Sequence, residues 1–331
     1  MEPGNRRPTS VCDVDLEAMG EFGFLDRVAG WVSRGGADVG IGDDAAVVSV
    51  GSTRLAITTD AIVEGAHFRL DWSSPGDIGW KAVAVNASDL AAMGAEPRWC
   101  VVTLAAPSDT DADVLRGVYE GLGDACQDSG LELVGGDTVR SDVLLLSVTA
   151  VGELDGEPML RSTARPGDVL AVTGRLGRAA AGVNLLLSQD PTGLAPEDAI
   201  ACMDAHRRPR ARVAEGLALR RSGVRCAMDL SDGLLSDLRR LAEASGVGVE
   251  VDVASVPVAP EARAVADAKG WDVERIALAG GEDLELLIAH PDAPAGTHTI
   301  GRVVDDGLWL VRGGQREPLP EGGWDHFSRP R

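Results

Sequence analysis

Lysine is scarce in this chain. Its 331 residues include two, Lys81 and Lys269, and neither stands in a Gly-Lys-Ser/Thr context, so there is no Walker A phosphate loop. The H-R-D and D-F-G pair of a protein kinase is missing as well. The five histidines are scattered, none at ligand spacing from another histidine or a cysteine, which argues against zinc. No D-x-[DN]-x-[DN]-G loop occurs, so an EF-hand is excluded. The five cysteines are odd in number, widely spaced and without C-x-x-C; they read as reduced, mostly buried thiols of a cytoplasmic protein. No apolar run approaches the roughly 18 residues of a membrane span. The opening MEPGNRRPTS lacks the apolar centre of a signal peptide. Positive charge is also short: 31 basic against 52 acidic residues leave a net charge of −21. Such a chain is poorly suited to a nucleic-acid backbone or an anionic membrane, and cations must mediate any binding of a polyphosphate.

What is present is ordinary globular composition, 44% hydrophobic and 25% charged, in a length that suits two domains of roughly 150 residues each. Residues 1–18 read as a flexible tail, 19–155 as a first α/β unit and 156–331 as a second, with the Arg/Pro/Gly-rich stretch Arg161 to Asp168 at the passage between them. In the first unit RLAITTDAIV and PRWCVVTLAA read as strands. SSPGDIGWKAVAVNASDLAAMG reads as a helix capped by Ser74, with Pro75 in its first turn and Gly94 at its end. DADVLRGVYEGLGDACQDSG is a second helix stopped by Gly130. LELVGG and VLLLSVTAVGEL are strands around the loop DTVRSD, with an antiparallel component there. In the second unit strands are expected at DVLAVTG, CAMDL, VGVEVDV, LELLIAH and HTIGRVV. Helices are expected around 179–187, 211–221, 231–244 and 261–268, and the end of the chain reads as an irregular tail.

The acids carry the functional signal. Asp43 and Asp44 follow Gly42; Asp60 is expected to end the strand AITTD; Asp89 stands three residues after Asn86, on one helix face with it. Asp137 follows a glycine pair, Asp229 and Asp232 bracket the turn in MDLSDGLL, and Glu282 and Asp283 follow another glycine pair. Taken singly, each such motif is a solvated turn. Six of them in one chain, each at a strand or helix edge and several beside glycine, describe oxygen-rich sites for hard cations, Mg2+ above all when phosphates complete the shell. In DLSDGLL, Ser231 is placed to cap a helix whose free amides can meet a phosphate.

GIGDDAAV, TTDAIVEGAHF, WKAVAVNASDLAAMGAEP, GGDTVRS, DLSDGLLSDL, GGEDLEL and GWDHF, in this order and spacing, resemble the thiamine-monophosphate kinases from about Glu21 to Phe327. The wider superfamily holds aminoimidazole ribonucleotide synthetase, selenophosphate synthetase and a hydrogenase maturation protein. The resemblance implies an α+β, two-domain PurM-like fold, an amino-terminal α/β sandwich whose sheet dimerises plus a carboxy-terminal α/β domain. It implies a homodimer that transfers phosphate from ATP directly to thiamine monophosphate, assisted by several Mg2+ ions. It assigns Asp44, Thr58, Thr59, Asp60, Asp89, Asp137, Asp229 and Asp232 to metal, and Gly136, Asp137, Arg161 and Ser231 to ATP. His67, Glu282 and Trp324 go to the substrate, with Asp43 a brace for the turn. Thr58 stands where serine is common in the family, and Trp324 where tyrosine is. No general base is expected, because a phosphate monoester is already ionised at neutral pH. Alternatives are another ATP-dependent enzyme of the superfamily or a Mg-dependent phosphohydrolase. No Cys or Lys stands in an amino-terminal glycine-rich loop, as a selenophosphate synthetase wants, and the end HFSRPR has no cysteine, as the hydrogenase maturation protein needs.

Overall fold

Two mixed sheets organise the stretch from Gly36 to Trp324, one of two compact units into which the chain divides. The computed structural model describes residues 16–32, 35–324 and 327; the expected tail lies, up to residue 15, outside the described residues. The other unit, drawn from the chain ends, holds α1 (Leu16–Trp31), a helix interrupted at Gly20 (φ 68°). The sequence pattern predicts no helix there.

The first sheet comprises β1 (Ala46–Val50), β2 (Thr53–Val63), β3 (Glu96–Ala106), β4 (Glu132–Arg140) and β5 (Leu145–Leu154), in the order β1-β2-β5-β3-β4. Helices α2 (Pro75–Ala92) and α3 (Ala112–Ser129) share a core with it. Helix α2 starts as expected. Ser74 accepts the amide of Asp77, the Asp77 carboxylate accepts that of Ser74, and Pro75 opens the first turn. Gly130 ends α3 in the left-handed conformation. Along β5 every second residue is buried, so one face of the sheet belongs to the core. The opposite face is open: Trp99 and Val101 of β3 and Val134 of β4 are exposed.

The loop expected after LELVGG does not begin at Asp137, because β4 runs on to Arg140. Strands β4 and β5 are also not neighbours. Strand β3 lies between them, parallel to β4 and antiparallel to β5. The antiparallel component is real, but it belongs to β3, β5 and β2.

The second sheet runs β12-β11-β8-β10-β6-β9-β7, from β6 (Val169–Val172), β7 (Cys226–Asp229), β8 (Gly248–Asp252), β9 (Leu286–His290), β10 (His298–Val304), β11 (Leu308–Arg312) and β12 (Gln315–Pro318). Its helices are α4 (Arg178–Ser188), α5 (Pro196–Arg207), α6 (Val213–Arg221), α7 (Leu234–Ser245), α8 (Pro260–Lys269) and α9 (Val273–Ala279). Helices α5 and α9 and the β11–β12 hairpin are additions to the expected elements. A small apolar cluster of Ala91, Ala92, Leu219, Ala227, Leu286 and Ile288 joins the end of α2 to β7 and β9. That junction fixes Asp89 relative to Asp229.

Candidate active site

One oxygen each from Asp44, Asp89 and Asp229 lie within 4.8 Å of one another. The three come from separate elements: the turn before β1, the last turn of α2, and the end of β7. Two neighbouring hydroxyls hold them. Thr58 of β2 donates to Asp89 Oδ2 at 2.5 Å, and Ser88 donates to Asp229 Oδ2 at 2.7 Å. Ser231 Oγ lies 3.4 Å from the other oxygen of Asp229. Asn86, one turn before Asp89, accepts the backbone amide of Asp60 at 2.9 Å and donates to Ala82 O, so it pins β2 to α2.

The electrostatics match a site for a cation. Burial, and then the charges of Asp60, Asp229 and Asp44, push the Asp89 carboxyl well above its ordinary value. Burial and Asp44 push Asp229 up to about 7, partly offset by the Ser88 hydrogen bond. Asp44 Oδ2 is buried without a hydrogen-bond partner. An oxygen-only set of crowded carboxylates, one with an orphaned lone pair, fits a hard divalent cation.

Arg161 closes this cluster. Its Nη2 lies 2.5 Å from Asp44 Oδ1, and its Nε 3.7 Å from Asp43 Oδ1. Burial works against the guanidinium charge, but Asp44 and Asp43 outweigh it and raise its proton affinity. Asp43 Oδ1 accepts the amides of Asp44 and Arg161 at 3.1 and 3.4 Å, so this carboxylate braces the turn. Burial and the charge of Asp44 push Asp43 up to about 7.

Asp60 borders this cluster, its charge acting on Asp89 and Asp229, and other expected residues fall elsewhere. Asp60 lies inside β2, not at its end. Thr59 turns to the open face of the sheet, where its hydroxyl donates to Val148 O and accepts from Thr149. Asp137 lies on the edge strand β4. The register runs Asp60–Val148–Val102–Gly136, so Asp137 stands three strand spacings, about 14 Å, from Asp60. Its register partner Thr103 alternates with buried Val102 and Leu104, which puts Asp137 on the open face with Thr59. Gly136 is pressed so closely on β3 that a Cβ there would stand 1.9 Å from Val102 O. Within one chain, the structure does not bring Asp137 to the Asp44–Asp89–Asp229 cluster.

Ser231 does not cap α7, contrary to the expectation from its residue type. The cap is Gly233, which makes no side-chain cap and sits at φ 102°, where a Cβ would strike Ala279 O and Gly280 O at 2.9 Å. The turn has given up a side-chain cap for close approach to the GGED loop. Asp232 is ion-paired with Arg240 of α7. The backbone of this turn anchors two further expected residues: Glu282 N donates to Ser231 O at 2.8 Å, and Trp324 N donates to Asp232 O at 3.0 Å.

Glu282 occupies the left-handed region at φ 66°. Its Oε1 meets Lys81 Nζ at 2.5 Å and its Oε2 meets His206 Nδ1 at 2.6 Å. Burial alone would raise this carboxyl, but the Lys81 ammonium and the His206 hydrogen bond hold it far below the usual carboxylate range. Lys81 also donates to the carbonyl of His67 at 3.0 Å, and His67 Nδ1 accepts the amide of Val63. The neighbouring Asp283 plays a different part. It accepts the amides of Gly177 and Ala179 and so caps α4. Sequence reasoning missed Lys81, His206 and Ser88. Ser88 carried a signal, its place beside Asp89 in NASDL.

Two sheets with helices, meeting at an oxygen-only cluster, make this an AIR synthase related protein. Residues 42–154 match the family model "AIR synthase related protein, N-terminal domain", and residues 165–306 match "AIR synthase related protein, C-terminal domain". Within that class the chain belongs to the thiamine-monophosphate kinase family. It is 41% identical over 319 residues to the thiamine-monophosphate kinase of Mycobacterium tuberculosis (95% of this chain, 94% of the relative). It is 37% identical over 338 residues to that of Escherichia coli K12 (95% and 100%). The solved structure "AaThiL complexed with AMPPCP and TMP" superposes with a TM-score of 0.87 at 34% identity, covering 95% of this chain and 99% of that one. Among the described residues no helix is long and apolar enough to cross a membrane.

Proposed function

We propose that this chain transfers the γ-phosphoryl group of ATP to thiamine monophosphate, forming thiamine diphosphate and ADP, as a cytoplasmic enzyme of thiamine diphosphate biosynthesis. The observation that carries this reading is the Asp44–Asp89–Asp229 cluster with Arg161 at its edge, in a chain whose relatives are thiamine-monophosphate kinases. An oxygen of the acceptor phosphate attacks the γ-phosphorus in line. The bond from that phosphorus to the β,γ-bridging oxygen breaks, and ADP leaves with its electron pair. The attacking oxygen is already anionic, so no residue is assigned as general base.

The difficulty is bringing two polyanions together, and the residues divide that work. Asp44, Asp89 and Asp229, with the Thr58 hydroxyl and Asp60 beside them and Asp232 beyond, would hold Mg2+. When bound, Mg2+ supplies the positive charge that neutralises the phosphates and orients them. Arg161 and Ser231 face the nucleotide, Arg161 exchanging its carboxylate partner for phosphate. His67, Glu282 and Trp324 receive thiamine monophosphate, the carboxylate of Glu282 meeting the cationic part of the acceptor.

We further propose two domains, 19–155 and 156–331, and a homodimer through the open face of the first sheet. Exposed Trp99, Val101 and Val134 support an apolar partner there. Thr59 and Asp137 share that face while standing too far apart to meet within one chain. A second copy docked on it accounts for both: Gly136 and Asp137 of one protomer would serve the nucleotide beside Thr59 of the other.

ADP release tests the reading. Release that depends on thiamine monophosphate supports it. ATP hydrolysis without acceptor would instead indicate a phosphohydrolase, and no release a binding protein.

A further inference from the structure

Lys81 and His206 are buried polar side chains, at 1% and 4% exposure, and the reaction described above does not use them. Both meet Glu282, one on each carboxylate oxygen. A buried ion pair of this kind adds little net stability, since desolvation offsets the attraction. What it supplies is position. Lys81 comes from α2, His206 from the end of α5, and Glu282 from the loop after α9, three segments distant in sequence. Through a second bond, to His67 O, Lys81 also fixes the EGAHF turn after β2. One ammonium therefore ties together the two loops that carry His67 and Glu282.

We infer that Lys81 and His206 are positioning residues for the acceptor subsite, acting through Glu282 to aim its carboxylate at the cationic acceptor. This rests on the reading of Glu282 as an acceptor residue. The Lys81 side chain is only 2% exposed and that of His206 6%, whereas that of Glu282 is 29% exposed. The ammonium and the imidazole therefore sit behind the carboxylate and Glu282 in front. Each carboxylate oxygen accepts at more than one lone pair. With one taken by Lys81 and one by His206, acceptor capacity remains on both oxygens for a ligand in front. The left-handed backbone at Glu282 is unfavourable for a side-chain-bearing residue and needs surroundings that over-determine it. The two contacts from behind supply that.

The test uses the full chain with ATP and thiamine monophosphate, each varied at saturating levels of the other. His206→Leu and Lys81→Met should raise the KM for thiamine monophosphate about tenfold or more and leave that for ATP within about twofold. His206→Asn, whose amide can stand where Nδ1 stood, should recover most of the loss. In a Glu282→Gln background, His206→Leu should add nothing further, because its effect passes through Glu282. Should Lys81→Met fail to fold, the two His206 variants and the double variant decide. KM rising equally for both substrates, His206→Asn behaving like His206→Leu in a folded protein, or additive losses with Glu282→Gln would each overturn the inference. A wild-type protein without acceptor-dependent ADP release overturns the functional reading itself, which is a different and distinguishable failure.

Discussion

Ser88 of α2 and Asp229 of β7 share a buried hydrogen bond of 2.7 Å between elements packed with different sheets. The next residue, Asp89, turns to Thr58 of the first sheet. Two adjacent residues of one helix therefore tie a carboxylate of the second sheet and a hydroxyl of the first to one point. Ser88→Ala removes the bond that restrains the Asp229 carboxyl. We expect a loss of about 1 kcal/mol, or about 2–4 °C in thermal midpoint. The Mg2+ concentration for half-maximal activity should rise about tenfold, as for other groups that orient a metal ligand. Titration of activity against free Mg2+ reads this directly, and an unchanged requirement would remove Ser88 from the site.

Asp89→Asn keeps the shape of the side chain and removes one charge. Loss of one such electrostatic stabiliser should lower kcat about a hundredfold or more at saturating Mg2+. Stability should move the other way in metal-free protein. Asp229 is pushed up to about 7 and Asp89 well above its ordinary value. A carboxyl raised in the folded state contributes stability that is full below the unfolded value near pH 4 and is lost as pH rises through the folded value. The variant carries one fewer such group. Its thermal midpoint without Mg2+ should exceed that of wild type by about 2 °C or more near pH 8, with the gap closing toward pH 4. A near-normal kcat would return these acids to solvated turns.

The Trp324 amide donates to Asp232 O, and the residue is 48% exposed. Stacking on the aromatic acceptor is worth on the order of 1 kcal/mol. Trp324→Ala should therefore raise the KM for thiamine monophosphate about fivefold while that for ATP stays nearly constant. An equal rise in both would show a structural role.

The shared site can be tested by subunit mixing. Asp89→Asn and Asp137→Asn are each expected to be inactive. In mixed dimers one of the two sites would draw Asp89 and Asp137 from unaltered copies, so random mixing should restore about a quarter of wild-type activity. Mixtures as dead as their components would show that both acids serve the same chain. Sedimentation at 34.4 kDa at micromolar concentration would rule out the dimer altogether.

Local chemistry was legible in the sequence, and long-range placement was not. Ser74, Pro75 and Gly130 announce their helix ends because capping depends on residues a turn apart. The acid motifs were visible as types beside glycine. Their assembly depends on strand order, and nothing local to LELVGGDTVR says that β3 will separate β4 from β5. That is why the motif alone does not place Asp137 on the edge strand, three strands from Asp60. Helix α5 escaped because its buried face is small and interrupted, Ala199, Cys202 and His206. Nothing local marks Lys81 and His206, since such side chains are seldom buried unless paired, and their partner lies more than seventy residues away in the chain. Ser231 has the residue type of a cap, while close approach requires Gly233 at that position.

The central claim is the acceptor, and product analysis tests it most directly. Purified protein incubated with ATP and Mg2+ receives thiamine monophosphate in one vessel and free thiamine in another, and the thiamine species are separated by chromatography. The expected result is thiamine diphosphate from the monophosphate, matched one to one by ADP, and no thiamine monophosphate from thiamine at a comparable rate. Thiamine monophosphate left intact while inorganic phosphate accumulates, or thiamine phosphorylated as fast as its monophosphate, would contradict it.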